Sequence, residues 1–482
     1  MSVDDKPMNR QAFERPTDME WHRASGLASI AIRCVLRCSR RLLLKTIIAA
    51  AISGMAVDVS RSGAGGVEER PADFRRSVDW LRSEVVPNET VPFPHPARRG
   101  LPLGYGAITG RPVTPVHKKS FVYDAALGAI ALAIAEDWST AATILQALAR
   151  VQRDDGSFWF AYNVENTWPE ENDHDMGIVR AGATAWAGYG FAFYLEHVPA
   201  TNEPRAMRAR ERFLAAARRA GDYLLTLRSQ AEDGRRGLIQ GGRGIVRLVA
   251  TKTGQVEETY EDRPIQWIST EHNISSYFFL QSLSRLTGDP RYRDASHTIA
   301  AALIRELWQE DLGQFAQGFL ETGSLDRAMA LDCASWGALF LLAAGEPEKA
   351  ARAVESAHRR YRNVDGGIAG HRPYAGTPVY DDPDVQRLLL PDAPEARWDD
   401  LTYVWSEGSL GLALASLRLN QVEQAQAIVD EMRRLDVDGG IRYGTRELPY
   451  QFSESPSIGG TAWWLIVDSA IRHGLGRLLW AR

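Results

Sequence analysis

The sequence predicts an all-α fold in which two concentric rings of helices surround a central space. Two kinds of helix alternate along most of the chain, one with a single apolar stripe and one that is apolar on nearly every side. A helix that is apolar all round has to be buried, whereas an amphipathic helix buries one side only. Six helices of each kind in strict alternation therefore indicate an inner and an outer ring.

The amphipathic helices are recognised by apolar residues spaced three or four positions apart. In the first of them Phe74, Val78 and Leu81 share one side, while arginines occupy the others. This spacing predicts outer helices over about residues 72–86, 139–153, 205–229, 290–308, 347–361 and 421–434.

The second kind of helix is rich in alanine, glycine and other apolar residues. Residues 121–135, for example, read FVYDAALGAIALAIA. The pattern predicts inner helices over about 121–135, 178–195, 270–287, 328–345, 401–419 and 457–473.

Related turns with an Asp-Gly or Asp-x-Gly core follow the amphipathic helices. They recur near Gly156, Gly234, Gly313, Gly366 and Gly439. Glycine supplies the left-handed residue that ends a helix, so the recurrence marks a degenerate repeat of helix hairpins. The intervals are too irregular for a solenoid of identical units, and a closed ring explains why the repeat stops at six.

This alternation, the Asp-Gly turns and the Trp-rich inner helices resemble the six-hairpin (α/α)6 toroid glycosidase superfamily. The resemblance covers about residues 70–482 and identifies no subfamily. It implies carbohydrate cleavage, by hydrolysis or by lyase chemistry, in a cleft at one end of the inner ring.

The N-terminal segment resembles a twin-arginine export leader. Residues 39–45 read SRRLLLK, and a short apolar stretch rich in small residues then runs to Ala56. This stretch is too short for a stable membrane span, although an uncleaved anchor or an amphipathic helix is an alternative. We expect export by the twin-arginine machinery to the periplasm or the cell exterior. The predicted segments are a cleaved leader over 1–56, an N-terminal helix and Pro-rich arm over 57–115, and the toroid catalytic domain over 116–482, whose first outer helix lies at about 72–86.

Composition narrows the class of partner. The chain has 56 basic and 61 acidic residues, a net charge of −5, which argues against a nucleic-acid binder.

Of its three cysteines only Cys333 lies beyond the leader, so a cysteine-based zinc site is excluded. The triplet Asp173-His174-Asp175 is a weak metal signal, and we expect neither a metal nor a cofactor.

Candidate catalytic acids stand where inner helices begin. Outer and inner helices run antiparallel, so all inner N-termini and the long connections share one face. Glycosidic cleavage needs one protonated and one ionised carboxyl group. We expect Glu271 to be the general acid and Asp332 the general base, with Asp124 and Glu407 in reserve. The alternative is that these acids only cap or stabilise helix N-termini.

Aromatic and amide side chains near the same helix starts are candidates for sugar binding, because indole rings stack on the apolar faces of sugars. About half of these aromatic residues are expected to be structural. The candidate substrate-binding residues are Tyr123, Trp186, Trp267, His272, Asn273, Trp336 and Trp405.

Four functions compete at this point. The first is an endo-acting polysaccharide hydrolase, favoured by the acids and the long loops. The second is a polysaccharide lyase or sugar epimerase with His272 or Tyr277 as the base. The third is an isoprenoid cyclase, since residues 152–158 resemble a Gln-Trp repeat, but Pro383 interrupts the Asp-rich motif at 381–384. The fourth is a non-catalytic glycan-binding protein.

Overall fold

The computed structural model describes residues 70–87, 98–164, 177–474 and 479–480. The predicted leader, part of the Pro-rich arm and the triplet Asp173-His174-Asp175 lie outside these ranges. Residues 70–482 form one compact unit, so the first outer helix and the described part of the arm belong to the same unit as the ring.

Helices of two kinds alternate along this unit, as the periodicity predicts. The outer helices are α1 (Ala72–Ser83), α3 (Trp138–Val151), α5 (Pro204–Thr226), α7 (Pro290–Ala302), α9 (Pro347–Tyr361) and α12 (Val422–Arg433). The inner helices are α2 (Val122–Ile134), α4 (Ala181–His197), α6 (Thr270–Thr287), α8 (Asp332–Ala344), α11 (Ser406–Arg418) and α13 (Ile458–His473).

The inner helices form a closed ring. Each contacts the next along the chain, and α13 contacts α2, so the last hairpin meets the first. Each outer helix packs on the inner helix before it, while α1 packs on α13. The predicted arrangement of six inner and six outer helices is therefore confirmed.

Helix boundaries differ from the prediction by a few residues. The largest difference at a helix start is at α11, which begins at Ser406 rather than near residue 401 because Trp405 is still extended. A single π-helical turn, Leu303–Leu307, continues α7. A further short helix, α10 (Pro383–Leu389), lies in the connection between α9 and α11 and had no periodic signal. Within the described ranges, no helix combines the length and hydropathy needed to cross a membrane.

Aromatic rings fill the centre of the ring. Trp186 lies 5.6 Å from Trp336 and 5.0 Å from Trp480, measured between ring centroids. Trp336 in turn stacks on Trp463 at 5.8 Å. Trp480, near the C-terminus, stacks on Phe278 with a centroid distance of 4.9 Å and an interplanar angle of 5°. The bore of the toroid is thus a packed core rather than a channel.

The all-α prediction was wrong in the connection before α6, which contains a long hairpin. Strands Gln240–Ala250 and Val256–Ser269 form a long antiparallel hairpin, which joins three short strands in a five-stranded sheet. The glycine-rich run 241–244 is part of this hairpin. A Cβ at Gly242 would lie 2.3 Å from the Val179 carbonyl oxygen, so glycine permits the close approach of two strands.

The other strands are short and lie in the connections. The remaining members of the five-stranded sheet are Val179–Arg180, Gly318–Phe319 and Leu325–Asp326. The two-stranded pairs are Lys119–Phe121 with Ala161–Asn163, Trp308–Gln309 with Gln314–Phe315, Met329–Ala330 with Tyr374–Ala375, Arg362–Asp365 with Ile368–His371, and Asp436–Val437 with Gly440–Ile441. Two 3-10 turns are Pro115–Lys118 and Trp398–Asp400.

We expect Trp480→Ala to lower the free energy of unfolding by about 3–5 kcal/mol, because it empties a large volume in the packed bore. Trp480 is 1% exposed, whereas the control residue Val422 is 44% exposed on an outer helix. Val422→Ala should therefore change the stability by less than about 0.5 kcal/mol. Denaturant unfolding of both variants measures the difference, and equal small losses would show that the C-terminal tryptophan is not part of the core.

Candidate active site

The inner-helix N-termini open onto a cavity of about 1120 Å³. The four predicted carboxylates all line it, although they come from different hairpins. Five of the predicted binding residues also line the cavity, namely Tyr123, Trp186, His272, Trp336 and Trp405.

Glu271 and Asp332 stand on adjacent inner helices. Glu271 lies in the first turn of α6, and Asp332 is the first residue of α8. Burial, with a smaller contribution from the charge of Asp332, raises the pKa of Glu271 to about 8. Burial raises the pKa of Asp332 to about 7. One Asp332 oxygen, Oδ1, is buried and has no hydrogen-bond partner among the described residues.

Asp124 and Glu407 form a second group beside the start of α13. A Cβ at Gly459 would lie 2.6 Å from Glu407 Oε2 and 3.5 Å from Asp124 Oδ1. The hydroxyl of Tyr123 donates to Glu407 Oε1 and accepts from Trp463 Nε1 at 2.9 Å. Burial raises the pKa of Glu407 well above its usual value and that of Asp124 to about 8.

N-capping does not explain the positions of Asp124, Asp332 and Glu407 at the starts of α2, α8 and α11. The N-cap residues of these helices are Phe121, Leu331 and Trp405, and none of them makes a side-chain capping bond. On α6 the cap is Ser269, whose hydroxyl oxygen accepts from the His272 backbone N–H at 3.3 Å. The carboxylates therefore lie at helix starts without serving as N-caps.

His272 lies beside Glu271, with 3.8 Å between His272 Nε2 and Glu271 Oε2. Its ring packs on the backbone of Gly182, where a Cβ would come within 2.4 Å of the ring. Burial lowers the pKa of His272 to about 3, and the nearby Arg180 guanidinium contributes. The imidazole is therefore neutral at physiological pH.

Two predicted binding residues do not line the cavity. The Asn273 amide donates to the carbonyls of Ile239 and Ser269 at 3.0 and 2.8 Å, and its oxygen accepts from the Ile239 N–H at 2.8 Å. Its side chain thus joins α6 to the preceding connection. Trp267 lies 5.5 Å from the His272 ring, measured between centroids, and packs behind it.

Three tryptophans of the cavity wall carry indole N–H groups that are buried and have no hydrogen-bond partner within the described chain. They are Trp186, Trp336 and Trp405. Tyr123 packs edge-on against Trp186, with 5.1 Å between centroids. The deep wall is therefore mainly aromatic surface.

The cavity is also lined by residues that the sequence analysis missed. Tyr450 is 58% exposed and has a left-handed φ of 60°, which is unusual for a residue with a large side chain. The sequence does indicate that long connections meet at this face. Connections have no hydrophobic periodicity, however, so the pattern cannot show which of their residues line the cavity. The missed residues include Tyr105, Lys119, Glu258, Tyr374, Tyr443, Glu447 and Tyr450.

Acidic side chains outnumber basic ones in the cavity lining. Glu258 and Glu447 add to the four predicted acids, whereas Lys119 and Arg180 are the cationic lining residues within the described chain. The described lining therefore has few cationic groups with which to pair an anionic ligand.

No family model matches the chain, and no curated protein matches it significantly. Solved structures do match it. A glycosidase variant in complex with glucose has a TM-score of 0.53 at 11% identity, covering 84% of this chain and 99% of that one. D-mannose isomerase has a TM-score of 0.52 at 11% identity, covering 84% and 100%. The cellobiose 2-epimerase of Bacillus thermoamylovorans has a TM-score of 0.52 at 8% identity, covering 82% and 98%.

These likenesses place the chain in the (α/α)6 toroid class, as the resemblance of its helix pattern predicted. At such low identity they show the fold and identify no subfamily.

We expect Asp124→Asn to stabilise the protein increasingly as the pH rises from 5 to 8. The folded pKa of Asp124, about 8, is above the usual value of 3.8, so the folded state keeps a proton that the unfolded state releases. The stability contributed by the protonated Asp124 carboxyl group is therefore fully present below pH 4 and is lost as the pH rises through 8. The uncharged variant escapes that loss, a gain of roughly 1–3 kcal/mol near neutral pH.

Urea unfolding at several pH values measures this gain. Asp392→Asn is the control, because Asp392 is exposed in the connection after α10. A constant difference between Asp124→Asn and the wild type at every pH would contradict the prediction.

Proposed function

We propose that the protein is a glycoside hydrolase acting on an oligo- or polysaccharide. The observation that carries the proposal is the pairing of Glu271 and Asp332, two carboxyl groups on adjacent helices that face one aromatic-lined cavity. The leader predicted over 1–56 would place the enzyme in the periplasm or outside the cell.

The two carboxyl groups differ in a way that suits the reaction. Glu271, with the higher pKa of about 8, keeps its proton at neutral pH and donates it to the glycosidic oxygen. Asp332, with a pKa of about 7, is the group that ionises first and activates water or attacks the anomeric carbon. Its charge in turn helps to keep Glu271 protonated.

Asp124 and Glu407 remain the reserve pair in this proposal. Tyr123 donates to Glu407, and Gly459 leaves room for both carboxylates. Their deeper burial suits binding of sugar hydroxyls as well as catalysis, since a buried carboxyl group needs hydrogen-bond partners.

The size and surface of the cavity support a saccharide ligand. Small-molecule pockets are typically about 300–1,000 Å³, so this cavity of about 1120 Å³ has room for more than one sugar unit. Trp186, Trp336 and Trp405 contribute aromatic surface to the cavity, on which the apolar faces of sugar rings can stack.

A sugar epimerase is the second candidate. The observation that favours it is the His272 imidazole in the cavity lining, which lies 3.8 Å from Glu271 and is neutral, so it can accept a proton from carbon. The structural neighbours include a sugar isomerase and an epimerase as well as a glycosidase. A lyase acting on uronic acids fits less well, because it needs cationic groups to neutralise the substrate carboxylate and the described part of the lining supplies Lys119 and Arg180 alone.

We expect Glu271→Gln and Asp332→Asn to lower kcat by about 10²–10⁴-fold while leaving saccharide binding intact, because each removes one proton-transfer group. Release of reducing ends from a panel of polysaccharides measures cleavage, and calorimetry measures binding. Glu257→Gln is the control, since Glu257 is exposed on the outer side of the hairpin. Unchanged cleavage would exclude this pair, while deuterium incorporation from solvent without new reducing ends would establish the epimerase.

We expect a bell-shaped dependence of kcat/KM on pH, with a maximum between about 7 and 8. Activity rises as Asp332 ionises through its pKa of about 7 and falls as Glu271 loses its proton through about 8. Initial rates between pH 5 and 10 measure the profile. If His272 were the essential base, its pKa of about 3 would remove the acidic limb from this range.

A further inference from the structure

The long hairpin rises from the rim of the cavity. Its first strand pairs with Val179–Arg180, the residues directly before α4, and its second strand leads into α6. Near the base, Ile268 and Ser269 of the second strand also pair with Phe319 and Gly318. The hairpin is therefore attached above α4 and α6.

The far end of the hairpin reaches another part of the rim. Its first strand contacts α10, which lies in the connection leading to α11. The apolar residues near the tip, Leu248, Ala250 and Val256, are half-buried and pack against the main hydrophobic core. The hairpin is thus supported at its tip as well as at its base.

The two sides of the hairpin differ in chemistry. The register places Leu248 opposite Glu258 and Ala250 opposite Val256, so these side chains share one side. Glu258 on this side lines the cavity. The alternate residues of the second strand, Glu257 among them, are exposed. One side therefore faces the cavity and the other faces solvent.

Ion pairs hold the hairpin in place. Arg263 donates two hydrogen bonds of 2.8 Å to the carboxylate of Glu321, which lies in the connection before α8. Arg243 and Asp262 form a pair at 2.7 Å across the two strands. A bidentate arginine–carboxylate pair fixes orientation as well as distance, so the hairpin is a fixed part of the rim.

We propose that this hairpin is a roof that makes the cavity accept the end of a glycan chain rather than its interior. The proposal rests on the hydrolase function proposed above and names the part of the substrate that the site takes. A chain bound at the acids meets the hairpin on one side, so it has to end beneath it. The long connections predict endo action from the sequence, but one of the two longest, residues 227–269, folds over the cavity instead of leaving a groove.

Glu258 is the group that recognises the chain end in this arrangement. A terminal sugar has a hydroxyl group where an internal sugar carries a glycosidic bond. A carboxylate accepts a hydrogen bond from that hydroxyl and has none to accept from the linked oxygen. Glu258 reaches the cavity from the roof, the side on which the terminal unit would lie.

The first test shortens the roof. Val246 and Tyr260 are directly opposite each other, so residues 247–259 can be replaced by an Asn-Gly turn. The products formed from an end-labelled oligosaccharide series are then separated by length during the first minutes of reaction. The wild type should release one short product stepwise from a chain end, and the shortened variant should release fragments of many lengths.

The second test keeps the fold unchanged. Glu258→Gln should raise KM for oligosaccharides about tenfold with little change in kcat, because it weakens one hydrogen bond to the terminal unit. Glu257→Gln, one residue away on the solvent side, should leave both constants unchanged. If the shortened variant does not fold, the comparison of Glu258→Gln with Glu257→Gln still tests whether the hairpin recognises the chain end.

The outcomes separate this proposal from the function on which it rests. Internal fragments in the first products of the wild type would overturn the roof while leaving the hydrolase intact. A folded, shortened variant with the wild-type product pattern would also overturn the roof. Equal kinetic constants for Glu258→Gln and Glu257→Gln would do the same. Absence of cleavage from every glycan would overturn both proposals.

Discussion

Helix α13 packs against both α11 and α2, and this contact joins the last hairpin of the ring to the first. Small residues permit the close approach: a Cβ at Gly128 on α2 would lie 3.1 Å from Ile458, and one at Gly459 would crowd Glu407 and Asp124. Those two acids are far apart in sequence and face one another only after the ring closes. The cavity is therefore a product of closure, because no single hairpin contains more than one of its four central acids.

Two opposing effects act on the acids at the helix starts. The positive end of the helix dipole favours the ionised carboxylate by about 0.3–1 kcal/mol in exposed positions. Burial favours the protonated form, and it is the larger effect, since the pKa values of Asp124, Glu271 and Asp332 are all raised. The site thus keeps proton donors at neutral pH at the expense of stability, while the aromatic bore beneath it supplies the compensating packing.

Sequence reasoning reached the ring and its acids because both follow from periodicity and from the position of helix starts. It did not predict which side of its helix each residue occupies. Asn273 follows Glu271 by two residues, a rotation of about 200° around α6, so its side chain points away from the cavity into the packing with Ile239. The hairpin escaped prediction for another reason: Gly241, Gly242 and Gly244 serve close strand contacts and a bulge, and these contacts come from residues distant in sequence.

The roof and the proposed general acid belong to one rigid piece of structure. Ser269 is both the last residue of the second hairpin strand and the N-cap of α6, and Glu271 follows two residues later. Thr270 between them is fully buried, and its hydroxyl donates to the Ala316 carbonyl at 2.6 Å. Because no flexible connection separates the hairpin from α6, the position of the roof and the position of the Glu271 carboxyl group are set together. A chain end held against the hairpin is therefore held at a fixed distance from the proton donor, which is how one element can determine both where the chain stops and which bond is presented for cleavage.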